Sequence, residues 1–254
     1  MTAHEDLEKA LQRATRFRRL VHSVSCSSTQ DLALADALAA GATPAADAIF
    51  WTDHQEHGRG RQQREWHDEP GADLLATFRV RERLPAPAVL PAALPAAAVR
   101  AIERFSGREL RIKWPNDVYF DGRKLAGMLI DSGVTGSHTY LIGVGVNCNR
   151  VRFPPDLEVV ATSMALLTGQ EIDRGALLGA LAESIDAAFR DLAAGNGHEL
   201  LELLRNRLGL LGRDVEVTAN DVLRGELTAI DFTELELDGS RRLPLGFVRG
   251  IRGL

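Results

Sequence analysis

The pattern of hydrophobic and polar positions divides the chain into two regions. Up to about residue 210, apolar runs with helical or strand spacing alternate along the chain. Beyond Gly212 the pattern changes to short alternating strands with glycine turns, for example at residues 215–217, 226–230 and 234–237. We therefore predict an α+β protein with a larger domain at 1–210 and a small β-barrel-like domain at 211–254.

Local signals predict the elements of the larger domain. Residues 1–20 favour a short amphipathic helix, and Ser28-Thr29-Gln30-Asp31 fits the start of a second helix that Gly41 would end. Asp121-Gly122 is a hairpin signal between strands at 118–120 and 124–134. Further strands are expected at 48–52, 73–80, 109–114 and 139–146, the last apolar enough to be central. Further helices are expected at 85–105, 161–169, 173–194 and 197–208.

Pro91 and Pro95 fall inside the Ala-rich helical pattern at 85–105. An interior proline removes a backbone hydrogen bond and clashes with the preceding turn. We therefore expect a kink or a late start in this helix.

Composition narrows the class of protein. The chain is 45% hydrophobic and 26% charged with a formal net charge of −5, which is typical of a soluble globular protein and argues against a nucleic-acid coat. There is no signal-peptide pattern and no apolar run of about 18 residues. The two cysteines, Cys26 and Cys148, lack metal-ligand spacing. We expect a cytoplasmic protein with free thiols and with neither a nucleic-acid nor a membrane partner.

The polar stretch at residues 57–66 combines two glycines with Arg59, Arg61 and Arg64, and ends on Trp66. Glycines let the backbone approach a ligand closely, and guanidinium groups present forked donors to carboxylate or phosphate oxygens. This composition favours an anion-binding loop, although a solvated basic loop fits it equally well.

A second candidate site is Lys113-Trp114-Pro115-Asn116-Asp117, at the end of a predicted strand. Strand ends are where α/β folds tend to build sites, and these residue types suit a phosphate with its Mg²⁺. A plain turn is the alternative, because Pro-Asn-Asp is favourable turn chemistry by itself.

Two further segments carry weaker signals. In Arg123-Lys124-Leu125-Ala126-Gly127 a basic pair enters an apolar strand, and the interior glycine indicates either close approach of a ligand or a β-bulge. Residues 143–147 form an apolar strand that ends on Asn147.

In this order and spacing the segments resemble the biotin–protein ligases, the biotin–[acetyl-CoA-carboxylase] ligase family. The most specific feature is Lys-Trp-Pro-Asn-Asp at 113–117 followed closely by Arg-Lys-Leu-Ala-Gly at 123–127. Ser28-Thr29, the loop at 58–66 and Gly-Val-Gly-Val-Asn at 143–147 also match, so the resemblance covers about residues 22–250.

The resemblance implies a mixed-sheet catalytic domain, class II synthetase-like and related to lipoate ligases, followed by an SH3-like domain. It also implies a two-step reaction. Biotin and ATP form biotinyl-5′-AMP, and a lysine of a biotin carboxyl carrier protein then takes the biotinyl group. Mg²⁺ is expected to be held mainly by the phosphates, so no metal ligands are assigned.

Roles follow for individual residues. The residues implied to bind biotin are Ser28, Thr29, Gln55, Arg59, Lys124 and Gly127, of which the first three would meet its ureido head. The residues implied to bind the nucleotide are Arg61, Arg64, Trp66, Lys113, Asn116 and Asn147. Trp66 would stack on adenine, and the loop would close over the adenylate. Arg59, Lys124 and Asp117 are implied to be catalytic, with Asp117 orienting or deprotonating the carrier lysine. Trp51 is expected in the core, with a pocket wall as the alternative.

The sequence departs from the family pattern in several places. Gln63 replaces the last glycine of the loop, which puts some closing flexibility in doubt, and Gln30 replaces the more usual asparagine. The C-terminal strand matches loosely, so it stays open which of Arg249 and Arg252 approaches ATP. The residues before Ser25 are too few for a helix-turn-helix domain, so we expect the type of ligase without a DNA-binding domain.

Two alternatives remain at this point. One is a lipoate–protein ligase of related fold, and the other is a non-catalytic anion-binding module. A homodimer is also plausible.

Overall fold

The computed structural model describes residues 3–40, 45–133 and 138–254. The helix end expected at Gly41 and the strand end expected at Val134 lie outside the described residues. Among the helices that are described, none combines the length and apolar character needed to cross a membrane.

The larger region is built on a seven-stranded mixed sheet with the order β1-β2-β3-β7-β6-β5-β4. β1 and β2 pair in parallel, and the other neighbours pair antiparallel. β7 lies in the middle, as its apolar sequence predicts. The strands are β1 (Arg19–Ser23), β2 (Ala48–Thr52), β3 (Leu74–Arg81), β4 (Arg111–Lys113), β5 (Asp117–Phe120), β6 (Arg123–Ser132) and β7 (Thr139–Val146).

Helices cover both faces of this sheet. They are α1 (Ala3–Ala14), α2 (Thr29–Ala39), α3 (Leu90–Ser106), α4 (Met164–Thr168), α5 (Arg174–Ala193) and α6 (His198–Leu208). Strand side chains alternate between the faces, so Ile49 joins the large core beneath α3 and α5, whereas its neighbour Phe50 packs with Ala33 of α2. Thr77 pairs with Phe50 across the strands and therefore shares the face that α2 covers.

The late start expected for the Ala-rich helix is confirmed. A short 3₁₀ turn at Pro87–Val89 precedes α3, and Pro91 lies in the first turn of the helix, where its missing N–H costs no hydrogen bond. Pro95 lies inside α3. The Asp121-Gly122 hairpin is also confirmed, and both residues have positive φ angles, 48° and 74°.

The helix predicted over residues 1–20 is wrong beyond Ala14. Residues Arg19–Ser23 instead form β1, at the edge of the sheet, with Leu20 buried. The charged and apolar alternation that favoured a helix is also the alternation of a half-buried strand, and the parallel pairing with β2 decides between them.

The C-terminal region forms a separate five-stranded antiparallel sheet with the order β11-β10-β9-β8-β12. Its strands are β8 (Asp214–Thr218), β9 (Val222–Ile230), β10 (Glu234–Leu237), β11 (Arg241–Pro244) and β12 (Gly250–Gly253). The buried Trp114 indole donates from Nε1 to the Val248 carbonyl at 3.1 Å and so fastens this region beside the turn that follows β4.

Candidate active site

A cavity of about 380 Å³ opens on the face of the seven-stranded sheet that carries α2. The start of α2, the loop after β2, and strands β3, β6 and β7 contribute to its lining, together with the turn after β4 and the stretch before β12. The lining includes all of the predicted site residues except Asn147, namely Ser28, Thr29, Gln55, Arg59, Arg61, Arg64, Trp66, Lys113, Asn116, Asp117, Lys124 and Gly127. Segments far apart in sequence therefore meet at one place.

Asn147 lies beneath the cavity. Its side chain is buried, and Nδ2 donates to the carbonyls of Lys124 at 3.3 Å and Thr162 at 2.9 Å. Asn147 therefore supports the strand that carries Lys124, and the nucleotide contact implied for it stays a prediction.

One end of the cavity is formed by buried amide and hydroxyl groups. Ser28 caps α2, as predicted, with its hydroxyl accepting from the Gln30 backbone N–H at 3.2 Å. The Gln55 carbonyl oxygen accepts from the Thr29 backbone N–H at 2.8 Å. This bond fixes the orientation of the Gln55 amide and turns Nε2 away from Thr29.

Thr77 at this end and Asp131, which lies outside the cavity, carry no signal in the sequence analysis. Thr77 lies 2.9 Å from the Thr29 hydroxyl and donates to Gln30 Oε1 at 2.8 Å. Gln30 in turn donates from Nε2 to Asp131 at 3.0 Å. In the sequence, Thr77 occupies what looks like a core position of an apolar strand. Only the folded structure shows that it lies beside α2.

The loop at 58–66 is folded as a compact hairpin. The Gly60 N–H donates to the Arg64 carbonyl at 2.7 Å, and the Trp66 N–H donates to the Gly58 carbonyl at 2.9 Å. A single 3₁₀ turn, Arg61–Gln63, forms its tip, with Gln62 at a φ of 56°. The side chain of Gln63 lies outside what the structure describes.

Trp66 packs flat against the central strand at Gly145. A Cβ atom at position 145 would lie 2.7 Å from Cε2 and Cζ2 of the indole, so only glycine fits there. Lys124 Nζ lies 5.2 Å from the centre of the ring, within range of a cation–π contact. The indole Nε1 is buried and has no hydrogen-bond partner among the described residues.

The other end of the cavity is strongly cationic. Its only acidic lining side chains, among the residues that the structure describes, are Glu65 and Asp117. Such an excess of positive charge in a concave site attracts and concentrates anions. The basic side chains of the lining are Arg59, Arg61, Arg64, Lys113, Lys124 and Arg249.

Lys124 and Asp117 form an ion pair, with Nζ 2.8 Å from Oδ1. They come from neighbouring strands, and Gly127 lies opposite Asp117 in the register. A Cβ atom at position 127 would lie 3.0 Å from Lys124 Nζ and 3.1 Å from Asp117 Oδ1. The glycine expected to allow close approach therefore makes room for this ion pair.

The arginines of the loop are held by neighbours. Arg59 donates to Asp31 in the first turn of α2, and Arg61 NH1 lies 3.5 Å from Asn116 Oδ1. Burial lowers the pKa of Arg61, and the nearby Asp117 opposes this effect. Asn116 is itself oriented by donating from Nδ2 to the Met128 carbonyl.

The structure separates the two C-terminal arginines. Arg249 lines the cavity, whereas Arg252 pairs with Glu216, at 2.6 Å between NH2 and Oε1. Lys113 lies at the cavity edge, with Nζ 3.3 Å from the Tyr119 hydroxyl. Trp51 packs against the core and lies 4.9 Å from the His22 ring, so it is a core residue and not a wall of the cavity.

The described residues contain few side chains that could bind a metal ion by themselves. No group of three or more His, Cys, Asp or Glu side chains suited to a metal occurs within residues 3–40, 45–133 and 138–254. Mg²⁺ usually binds through one or two carboxylates together with substrate phosphates. Asp117 and Glu65 are the carboxylates of the lining that fit this mode.

Comparison with known proteins gives one consistent family. The model of the biotin/lipoate A/B protein ligase family matches residues 23–149. The bifunctional ligase/repressor BirA of Bacillus spizizenii is 28% identical over 237 residues, which are 90% of this chain and 72% of that protein. The biotin–[acetyl-CoA-carboxylase] ligase of Paracoccus denitrificans is 34% identical over 103 residues, 38% of this chain and 42% of that protein.

Solved structures agree with the fold. A biotin protein ligase from Aquifex aeolicus, in complex with biotin and ATP, superposes with a TM-score of 0.80 over 94% of this chain and 100% of that chain. The sequence identity is 22%, so this likeness concerns the fold.

Proposed function

Because the chain belongs to the biotin/lipoate A/B protein ligase family, we propose that it is a ligase that joins biotin to a lysine of a carrier protein at the expense of ATP. The observation that carries this proposal is the cavity itself. It joins an end of buried amide and hydroxyl groups to an end with six basic side chains. This arrangement suits a ligand with a polar, uncharged head and an anionic tail beside a polyphosphate.

The polar end suits the ureido head of biotin. A cyclic urea has one carbonyl acceptor and two N–H donors. We assign the carbonyl of the head to Ser28 and Gln55 Nε2, which have no acceptor among the described residues, and one N–H of the head to the Thr29 hydroxyl oxygen. The dithiolane ring of lipoate offers no such groups and would leave these buried polar atoms unpaired, which costs binding energy. This feature favours biotin over lipoate.

The first step we propose is attack of the biotin carboxylate on the α-phosphate of ATP, which forms biotinyl-5′-AMP and releases pyrophosphate. Both reactants are anions, so the protein must supply positive charge and alignment. We assign Lys124 and Arg59 to the carboxylate and the α-phosphate, and Arg61, Arg64 and Lys113 to the other phosphates, because all five side chains line the cavity. Arg249 joins this group.

Mg²⁺ bound with ATP would neutralise phosphate charge, with Asp117 and Glu65 as the available protein ligands. Asn116, held by Met128, would face the same phosphates. Trp66 has less ring surface available for stacking on adenine than the sequence suggests. Gly145 covers part of the indole, so adenine would have to use the exposed side.

The second step we propose is attack of a carrier lysine on the mixed anhydride, with release of AMP. A lysine amine is protonated near neutral pH and must lose a proton to react. Asp117 is the carboxylate beside Lys124 and is the candidate to orient or deprotonate the incoming amine. The carrier is proposed to be the biotin carboxyl carrier protein of a biotin-dependent carboxylase.

We propose that the chain divides into a catalytic domain at 1–210 and an SH3-like domain at 211–254. We also propose that the protein acts in the cytoplasm, and that it can form a homodimer.

ATP–pyrophosphate exchange tests the first step. We expect exchange that depends on biotin and that lipoate does not support. Exchange with lipoate alone would contradict the choice of substrate, and folded protein that exchanges with neither acid would support a non-catalytic module.

A further inference from the structure

We propose that Asp131, which lies outside the cavity, sets the direction of the hydrogen bonds at the polar end and thereby makes Thr29 an acceptor for a ligand N–H. The effect passes through Gln30 and Thr77. Asp131 is a positioning residue in this proposal, which rests on the proposed function because it assumes that the polar end receives the ureido head of biotin.

The first link fixes the amide of Gln30. Its Nε2 atom donates to Asp131 Oδ2 at 3.0 Å and to the Leu141 carbonyl at 3.3 Å. A carboxylate and a carbonyl can only accept hydrogen bonds. The amide therefore has one favourable orientation, in which Oε1 points toward Thr77.

The second link commits the proton of Thr77. This side chain is fully buried, and its hydroxyl donates to Gln30 Oε1 at 2.8 Å. A hydroxyl has a single proton, so Thr77 has none left for Thr29, 2.9 Å away. The two hydroxyls can bond only if Thr29 donates to Thr77.

The third link concerns the ligand. With its proton directed at Thr77, the Thr29 oxygen presents only lone pairs to the cavity. The Thr29 hydroxyl also lies 3.2 Å from the Gln55 carbonyl oxygen, which accepts from the Thr29 backbone N–H at 2.8 Å, so Thr77, at the shorter distance of 2.9 Å, is the better acceptor for its proton. The polar end thus presents an acceptor at Thr29 and donors at Ser28 and Gln55, the complement of a cyclic urea.

Without the Asp131 carboxylate, the hydrogen bonds among Gln30, Thr77 and Thr29 are no longer held in one direction. The Gln30 amide would then be held by the longer bond to Leu141 alone and could turn over, with Nε2 toward Thr77. Thr77 would then direct its proton at Thr29, and the Thr29 proton would be shared between the Gln55 carbonyl oxygen, 3.2 Å away, and the ligand. A donor would face the ureido N–H, and a buried donor facing a donor disfavours binding.

Biotin titration by calorimetry, together with steady-state kinetics, tests the proposal on the full-length protein. We expect Asp131→Ala to raise both the Kd and the KM for biotin about five- to tenfold, the range of one lost hydrogen bond. The KM for ATP, the kcat at saturating biotin and the melting temperature should stay within about twofold or a few degrees of wild type. Asp131→Asn keeps an acceptor oxygen for Gln30 and should restore the affinity for biotin.

A double-mutant cycle separates the relay from independent effects. Thr77→Val removes the hydroxyl at nearly constant shape and should weaken biotin binding like Asp131→Ala, whereas Thr77→Ser should not. Because both changes break the same chain of bonds, the double variant should bind no more weakly than Thr77→Val alone.

The outcomes are distinct. Wild-type affinity in Asp131→Ala, or losses that add in the double variant, would overturn the relay while leaving the proposed function intact. Wild-type protein that binds ATP but not biotin would overturn the proposed function, and the relay with it.

Discussion

Lys124 Nζ lies 2.8 Å from Asp117 Oδ1, above the bare Cα of Gly127. Both side chains line the cavity. In the proposed reaction Lys124 serves the anions of the first step and Asp117 serves the amine of the second. The ion pair therefore holds together two groups that act at different times.

Because Lys124 is proposed to act in the first step and Asp117 in the second, Asp117→Asn should slow the transfer of biotin more than its activation. Transfer of biotin from preformed biotinyl-5′-AMP to a carrier domain should slow about 10²-fold, because removal of a general base costs at least this much. Biotin-dependent ATP–pyrophosphate exchange should slow less than transfer does, and only as far as the loss of the ion pair with Lys124 and of a candidate Mg²⁺ ligand affects the first step. Single-turnover measurements of both steps check this.

Asp121→Asn is the matched control for this experiment. Asp121 lies in the β5–β6 turn at a φ of 48°, a conformation that asparagine also tolerates, and it is exposed. Both steps should be unchanged in this variant. Equal slowing of both steps by Asp117→Asn would contradict the separate roles.

Gly145→Ala should disturb the site through Trp66. The added Cβ would lie 2.7 Å from the indole ring, so the ring and the loop at 58–66 must move. Overpacking of this kind costs about 1–3 kcal/mol of unfolding free energy, and the displaced loop should weaken biotin binding. Urea unfolding and biotin titration measure the two effects.

Gly246→Ala is the control for crowding. No atom lies within 4 Å of a Cβ built at position 246, and its φ is not positive. Its unfolding free energy should stay within about 0.5 kcal/mol of wild type. If Gly145→Ala behaves like this control, the close contact with Trp66 does not shape the site.

The ionisation of Asp36 should make the free energy of unfolding depend on pH under acidic conditions. Burial acts to raise its pKa, but hydrogen bonds from Arg19 and Arg79 outweigh burial and lower the pKa below its ordinary value. A carboxyl whose pKa is lowered on folding stabilises the protein above the unfolded pKa, and this contribution is lost as the pH falls through the folded pKa. Asp36→Asn removes it.

Urea unfolding at a series of pH values tests the prediction for Asp36. The difference in unfolding free energy between wild type and Asp36→Asn should be constant above about pH 5 and should shrink as the pH falls below about 4. A difference that stays constant at acid pH would contradict the role of the two arginines.

The two cysteines should differ in reactivity. Burial, reinforced by Asp73, raises the pKa of Cys148 to about 12, and the side chain is fully buried. Burial also raises the pKa of Cys26, but this residue is partly exposed. Because the thiolate is the reactive form, an alkylating reagent at neutral pH should label Cys26 slowly and leave Cys148 unlabelled until the protein is unfolded. Rapid labelling of Cys148 in native protein would contradict its burial.

The sequence predicts features that depend on a few neighbouring residues. The Ser28 cap and the Asp121-Gly122 turn are such features, because capping geometry and positive φ angles are local properties. β1 escaped prediction because a five-residue strand at a sheet edge has too short a pattern, and its pairing with β2 is a long-range contact.

The sequence predicts those residues of the site that belong to a recognisable motif. Motif residues such as Lys124 and Asp117 line the cavity, but nothing in the sequence indicates that they form an ion pair. Thr77 and Asp131 belong to no motif, and their role depends on which strands lie beneath α2. Arg249 and Arg252 are equivalent in sequence, and only the tertiary contact of Arg252 with Glu216 separates them.

The most direct test of the central claim is the mass of a carrier domain after incubation with this protein, biotin and Mg·ATP. We predict one added biotinyl group on a single lysine of the carrier, and no addition when ATP is omitted or when Lys124→Ala replaces the wild type. An unchanged carrier mass, with folded wild-type protein and a carrier that another biotin ligase modifies, would contradict the account.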